Sequence, residues 1–185
     1  IISIIGDYEA LAVRSQTQVS AKVVAAGKKL QVIARAGVGI DNIDVDSATR
    51  QGIVVVNAPT VNTVSAAEHT IALILSLARH IPQAHTVLKS GVWRRSEFMG
   101  IEVKGKTLVI IGLGNVGSEV ARRARALEMK LIAHDPFISV DHARNLQVEL
   151  VPMEQLLKES DFITIHIPLA ASTKKLIGAK ELALV

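Results

Sequence analysis

Short apolar segments alternate with amphipathic segments along almost the whole chain. In the first half, this pattern predicts a helix over residues 20–28, a short helix from Val45 with Asp44 as its N-cap, and strands over 11–13, 31–35 and 53–56. In the second half, it predicts helices over 115–127 and 153–159, and strands over 107–111, 130–134, 148–151 and 162–167. Strands that alternate with helices are typical of parallel sheets, so the sequence predicts an α/β fold.

One long helix, predicted over residues 65–79, connects the two halves. One face of this helix is built from Ala67, Ile71, Ile74, Leu75 and Ala78. The opposite side is apolar as well, at Leu73 and Leu77. A helix that is apolar nearly all round is expected to be buried between two bodies. Pro82 and Gly91 predict a break in regular structure after it.

The predicted elements divide the chain into a first domain over 1–62, a connector over 63–92 and a second domain over 93–185. The second domain has fewer strands than an open parallel sheet usually needs to close its core, so we expect it to be incomplete in this chain. The apolar residues are almost all aliphatic, with aromatics at 3%, which suits strands that are buried on both faces.

The amino-acid composition argues against several kinds of site and partner. The chain has no cysteine, which excludes disulfides and thiolate metal sites, and we expect no metal centre. A net charge of +4 is compatible with anionic small ligands, but no basic run is interleaved with aromatics, so we expect no nucleic-acid partner. The longest apolar run, over 70–78, is too short to span a bilayer, and we expect a soluble, cytoplasmic protein.

A glycine motif follows the strand predicted over 107–111. The residues Gly112, Leu113, Gly114, Asn115, Val116 and Gly117 form a GxGxxG pattern where that strand meets the next helix. Gly112 permits a tight turn, Gly114 permits close approach of a pyrophosphate, and Gly117 permits packing of the helix on the strand. The amides of Asn115 and Val116 would face the phosphates at the positive end of the helix dipole.

An acidic residue completes the dinucleotide pattern. Asp135 ends the following strand, 18 residues after Gly117, where a carboxylate can accept hydrogen bonds from the adenosine ribose. Pro136 and Phe137 come next, with no arginine that would favour a 2′-phosphate, so NAD is preferred over NADP. The alternatives are a glycine turn without a ligand and a surface carboxylate at position 135.

The strands predicted in the first half end in polar or glycine-containing turns at residues 14–15, 36–39 and 57–59. Ligands of open α/β sheets bind outside the carboxyl ends of the strands. These turns therefore form a candidate binding rim.

Four segments together resemble one known family. They are residues 35–44 (Arg-Ala-Gly-Val-Gly-Ile-Asp-Asn-Ile-Asp), residues 65–70 (Ser-Ala-Ala-Glu-His-Thr), the glycine motif, and residues 166–169 (His-Ile-Pro-Leu). In content and order they resemble the D-isomer-specific 2-hydroxyacid dehydrogenase family. The resemblance implies a flavodoxin-like substrate domain and a Rossmann NAD-binding domain, both only partly contained in this chain.

The same resemblance implies roles for individual residues. The backbone of Gly37, Val38 and Gly39 would hold a substrate carboxylate, and Val38 would also touch the nicotinamide. Arg14, in the turn with Ser15, would meet a phosphate at the other end of the substrate; the alternative for Arg14 is a surface ion pair. Asn62 is a weaker candidate for that end, since it also suits a turn before the long helix.

Two further residues, Ile167 and Thr173, would line the cofactor. His166, beside them, would belong to that cofactor-lining turn rather than act as an acid–base catalyst. The arginine, glutamate and histidine of the family's chemistry would lie beyond Val185. The resemblance therefore assigns no catalytic residue to this chain.

Residues 11–15 and 98–103 resemble the branch of the family that oxidises 3-phospho-D-glycerate to 3-phosphonooxypyruvate with NAD, the first step of L-serine synthesis. A phosphorylated 2-hydroxy acid is then the expected substrate. The alternatives are another D-2-hydroxyacid dehydrogenase, such as a glyoxylate or hydroxypyruvate reductase, and an NAD-responsive scaffold like the corepressors that share this fold. A homodimer or homotetramer is expected, with the helix over 65–79 at or near the contact.

Overall fold

The computed structural model describes all 185 residues, Ile1–Val185. It contains two parallel sheets, one of three strands and one of four, with helices between successive strands. The α/β fold predicted from the hydrophobic pattern is therefore confirmed. The chain forms two compact units, Ile1–Asn62 and Thr63–Val185.

The first unit contains a sheet in the order β1-β2-β3. Its strands and helices are β1 (Ala10–Val13), α1 (Ala21–Ala26), β2 (Val32–Arg35), α2 (Val45–Arg50) and β3 (Val54–Asn57). The core is formed by aliphatic side chains that include Val19, Val24, Ile33 and Ala48, all fully buried. Asp44 caps α2 as predicted, because its carboxylate accepts a hydrogen bond of 2.9 Å from the Ser47 amide, which lowers the pKa of Asp44.

The second unit contains a sheet in the order β6-β5-β4-β7. Its strands are β4 (Thr107–Ile111), β5 (Lys130–His134), β6 (Glu149–Leu150) and β7 (Phe162–Ile165). Its helices are α3 (Thr63–Ala78), α4 (Ile81–Lys89), α5 (Asn115–Ala126), α6 (Val140–Leu146), α7 (Met153–Lys158) and α8 (Ala179–Leu182). The sheet extends in both directions from β4, which pairs with β5 on one side and with β7 on the other. Such a switch point is where doubly wound sheets bind their ligands.

The central strand β4 is buried on both faces. Leu108 and Ile110 face one apolar cluster with α3 and α5, while Val109 and Ile111 face a second cluster with α7. This alternation follows from the two-residue repeat of a strand and explains why β4 is apolar from Leu108 to its end.

The long helix α3 is buried on one side only. Ala67 and Ile74 belong to the apolar cluster that also contains buried residues of α5. Leu73 and Leu77, on the other side, are 57% and 69% exposed. Within this chain α3 is therefore covered on one side only, and an apolar strip of α3 faces outward. Burial of that strip against a second subunit stays a prediction.

The break predicted at Pro82 is wrong, because the nine-residue helix α4 covers residues 81–89. The break predicted at Gly91 is confirmed, because α4 ends at Lys89 and Gly91 has a φ of +81°. Pro82 lies in the first turn of α4, where a backbone N–H is not needed and the fixed φ of proline suits the helix. None of the helices combines the length and the apolar character needed to cross a membrane.

Candidate functional site

The glycine motif forms the turn between β4 and α5. Gly112 has a φ of +92°, in the left-handed region that favours glycine. A Cβ at this position would lie 2.7 Å from both the His166 carbonyl oxygen and Ile167 Cγ2. Any larger residue at position 112 would therefore strain the backbone and displace the segment that follows β7.

The other two glycines differ sharply in their surroundings. A Cβ at Gly117 would overlap the carbonyl oxygen of Gly112 and lie 3.3 Å from Ile110 Cγ2, so this glycine lets α5 approach the sheet. A Cβ at Gly114 would meet no atom within 4 Å. Gly114 is exposed, and the space beside it is open for a ligand to approach the main chain.

The first turn of α5 lies beside this open space. Gly114 is the N-cap of α5, and the amides of Asn115, Val116 and Gly117 have no carbonyl four residues earlier within the helix. A twelve-residue helix presents its positive end here. The exposed glycine and the helix start together fit the pyrophosphate of a dinucleotide.

Asp135 lies directly beside the glycine turn. Its carboxylate accepts hydrogen bonds from the Leu113 amide, at 2.8 Å, and from the Phe137 amide, at 2.9 Å. The two bonds end on different oxygens, so each oxygen keeps a lone pair that a ribose hydroxyl can use. The structure thus brings Asp135 to the motif and adds a contact with Leu113 that sequence spacing does not reveal.

The segment after β7 approaches the same turn. Ile167 packs beside Gly112. The Thr173 hydroxyl donates to the Pro168 carbonyl at 2.7 Å and accepts from the Ala170 amide at 2.8 Å, so it holds its own turn together. Burial lowers the pKa of His166, whose Nε2 lies 2.8 Å from the Thr164 hydroxyl. The assignment of His166 to the cofactor-lining turn stays a prediction.

In the first unit, the turn after β2 is tied to both neighbouring strands. The Ala36 amide donates to the Val13 carbonyl at 3.0 Å, and the Ala58 amide donates to the Gly37 carbonyl at 3.1 Å. Asn57 adds a side-chain hydrogen bond of 2.6 Å to the Val38 carbonyl. The turns predicted as a binding rim therefore lie together at one edge of the sheet.

Two residues that the sequence pattern did not single out support this rim. Asn42 is buried, and its amide donates to the carbonyls of Arg14 and Thr17 at 3.1 and 2.7 Å. Arg35 has a side chain only 10% exposed, 3.4 Å from the Asp41 carboxylate. A Cβ at Gly39 would lie 2.8 Å from both of these charged groups, so a larger residue there would displace the ends of the two side chains.

The remaining predicted residues of the rim are accessible. Arg14 and Ser15 are exposed, Gly37 is half-buried, and Val38 is 36% exposed. The structure brings the turns of Arg14 and Gly37 to neighbouring strand ends through the pairing of β1 with β2. Asn62 is exposed at the end of this unit. The expected contact of Val38 with a nicotinamide stays a prediction.

Comparison with known proteins gives a consistent result. The chain is 57% identical over 171 residues to the D-3-phosphoglycerate dehydrogenase of Archaeoglobus fulgidus, a match that covers 92% of this chain and 32% of the relative. It is 52% identical over 183 residues to the enzyme of the same name from Synechocystis, covering 99% of this chain and 33% of the relative. The chain thus spans about a third of the length of the curated relatives it matches.

A solved structure and a family match agree with these relatives. The D-lactate dehydrogenase of Aquifex aeolicus, complexed with NAD and lactic acid, has a TM-score of 0.91 at 29% identity and covers all of this chain and 55% of its own. Residues 71–185 match the family described as D-isomer specific 2-hydroxyacid dehydrogenase, NAD binding domain. The resemblance expected from the sequence motifs is confirmed, and the chain belongs to the D-isomer-specific 2-hydroxyacid dehydrogenase family.

Proposed function

We propose that the full-length protein containing this chain oxidises 3-phospho-D-glycerate to 3-phosphonooxypyruvate with NAD⁺, the reaction that begins L-serine synthesis. The main support is that relatives 57% and 52% identical over nearly the whole chain are both named D-3-phosphoglycerate dehydrogenase. A cytoplasmic location belongs to the same proposal.

The reaction divides into binding tasks and a chemical step. The C2–H bond of the substrate breaks as a hydride, the hydroxyl proton leaves to a base, and the C2–O bond becomes a carbonyl. Bound NAD⁺ supplies the hydride acceptor. We assign no catalytic residue to this chain, so its proposed contribution is to bind and orient the two reactants.

At the cofactor end, the proposed ligands are the backbone of residues 112–117 and the Asp135 carboxylate. Gly114 offers an open approach, and the first turn of α5 offers the positive end of the helix dipole to the pyrophosphate. The free lone pairs of Asp135 are suited to the ribose hydroxyls. Ile167 and Thr173 are proposed to line the same ligand.

At the substrate end, the proposed ligands are the turn over 36–39 and the turn of Arg14 and Ser15. The backbone of Gly37, Val38 and Gly39 is proposed to hold the substrate carboxylate. An exposed guanidinium at Arg14 can pair with two oxygens of a phosphate. Asn42 holds the Arg14 carbonyl, which supports a fixed position for this turn.

The Arg14→Ala variant of the full-length protein should raise KM for 3-phospho-D-glycerate. Loss of a charge-assisted contact is worth about 1.5–3 kcal/mol, or roughly ten- to 150-fold. Steady-state kinetics at saturating NAD⁺ measure this, with Arg14→Lys as the variant that keeps the charge but not the fork. An unchanged KM would make Arg14 a surface residue and weaken the phosphoglycerate assignment.

The test of the proposed function is a substrate comparison. NADH formation should be much faster with 3-phospho-D-glycerate than with D-glycerate or D-lactate, because only the first carries a phosphate for Arg14. If reduction of glyoxylate or hydroxypyruvate proves the more efficient reaction, the protein is a reductase of the same family. Turnover of none of these compounds would contradict an enzymatic role.

We also propose that the protein forms a homodimer, or a homotetramer built from two dimers, through the outward strip of α3. Leu73 and Leu77 are large apolar residues exposed on one helix, an arrangement that is costly in water. Light scattering on the full-length protein should give at least twice the mass of one chain, and Leu73→Lys with Leu77→Lys should lower it. A monomer at micromolar concentration would contradict the proposal.

A further inference from the structure

A buried polar chain lies beneath the glycine turn. Ser118, in the first half of α5, is only 5% exposed. Its hydroxyl donates to the Leu113 carbonyl at 3.0 Å and lies 3.0 Å from Nε2 of His142 in α6. The helix α6 follows the loop that carries Asp135, so the contact between His142 and Ser118 connects that loop to the glycine turn.

The directions of these hydrogen bonds follow from elementary chemistry. A carbonyl oxygen can only accept, so the single hydroxyl proton of Ser118 points to Leu113. The imidazole must then be the donor to the Ser118 oxygen, which assigns a proton to Nε2 of His142. The resulting chain runs from His142 through Ser118 to the Leu113 carbonyl.

Leu113 is consequently held from both sides. Its carbonyl accepts from Ser118, and its amide donates to Asp135 at 2.8 Å. Leu113 is itself fully buried, so neither of its peptide groups can turn to water instead. The orientation of these peptides sets the direction of the chain as it enters Gly114.

A purely local role for Ser118 fits these contacts less well. A serine inside a helix usually bonds the carbonyl four residues earlier, within its own helix. Ser118 instead reaches Leu113, which precedes α5, and it meets a side chain from a different helix. Its hydroxyl therefore joins α6 to the glycine turn rather than stabilising α5 alone.

We propose that Ser118 and His142 are positioning residues of the dinucleotide site, which fix the glycine turn through the Leu113 carbonyl. This inference rests on the proposed binding of NAD⁺ by that turn. Neither side chain is proposed to touch the cofactor. Their effect is to keep Leu113, and with it Gly114 and Asp135, in the orientation that the ligand needs.

The test is calorimetric titration of the full-length protein with NAD⁺ and, separately, with ADP. Ser118→Ala and His142→Leu should each weaken both ligands by about two- to tenfold, the range expected for one neutral hydrogen bond. Ser118→Thr and His142→Gln keep the hydroxyl and a side-chain N–H donor, so they should restore most of the affinity. Because both residues act through one chain, the double variant should be no weaker than Ser118→Ala alone.

Ser139→Ala is the matched control. The Ser139 hydroxyl caps α6 by accepting from the His142 amide at 3.2 Å, but it takes no part in the chain to Leu113. This variant should lower the melting temperature and leave the affinity for NAD⁺ unchanged. Equal weakening by Ser139→Ala and His142→Leu would overturn the inference, since loosening of α6 would then explain both.

Two other outcomes separate the inference from the function on which it rests. If the unmodified protein binds NAD⁺ and Ser118→Ala binds it equally well, the positioning role is wrong and the proposed cofactor stands. If the unmodified protein binds neither NAD⁺ nor ADP, the proposed cofactor site is wrong, and the inference is overturned with it.

Discussion

Gly117→Ala should lower the free energy of unfolding by about 3 kcal/mol or more, the upper part of the range for overpacking a close-packed contact. A methyl group at this position would overlap the Gly112 carbonyl oxygen, and a backbone atom cannot move aside as the end of a side chain can. Either α5 must move away from β4 or the glycine turn must change its path. Urea denaturation of the full-length protein measures the loss.

Gly114→Ala is the matched control for this prediction. The chemical change is the same, yet a methyl group at position 114 meets no atom within 4 Å, and the φ of −68° suits alanine. The expected cost is at most about 1 kcal/mol, because an alanine N-cap is slightly less favourable than glycine. NAD⁺ affinity should nevertheless fall, since the methyl group occupies the open approach. Equal stability of the two variants would contradict the packing role of Gly117.

The second large effect concerns cofactor choice. Asp135→Ala should sharply reduce the preference for NAD⁺ over NADP⁺, because the carboxylate both accepts from the ribose hydroxyls and repels a 2′-phosphate. Loss of a charged acceptor is worth about 1.5–3 kcal/mol, so the ratio of the two dissociation constants should change by roughly ten- to 150-fold.

The ratio is the appropriate readout, because Asp135 also accepts from the Leu113 and Phe137 amides. Any general loosening of the turn weakens both cofactors and cancels in the ratio. Asp135→Asn removes the charge while keeping one carbonyl oxygen, so it should fall between the other two proteins. If the ratio is the same in all three, Asp135 does not face the ribose.

The strands could be predicted well where they contain a buried apolar run. The predicted bounds of β4 and β5 agree with the structure, because both strands lie inside the sheet and each contains such a run, residues 108–111 in β4 and residues 131–133 in β5. The helix α6 was not predicted, because only Ala143 and Leu146 of its seven residues are buried and so short a repeat cannot be told from a turn. Pro82 was misleading because proline both ends helices and begins them.

The candidate site likewise has a part that could be predicted from the sequence and a part that could not. The glycine spacing encodes a backbone path over six consecutive residues, and that path is local enough to be predicted. The contacts that hold it are not local. Leu113 and Asp135 are 22 residues apart, and Ser118 and His142 are 24 apart. The pairing of β4 with β5 brings the first pair together, and the packing of α6 against α5 brings the second together. The hydrophobic periodicity of the sequence encodes neither contact.

Hydrogen exchange on the full-length protein, with and without NAD⁺, tests most directly the claim that the glycine turn and Asp135 hold the dinucleotide. The amides of Val116 and Gly117 lie in the first turn of α5, without a partner in their own helix, so a bound pyrophosphate should slow their exchange markedly. The account predicts new protection over residues 112–118 and 134–138, with less protection from NADP⁺ at the same concentration. Unchanged exchange in both segments at saturating NAD⁺ would contradict it.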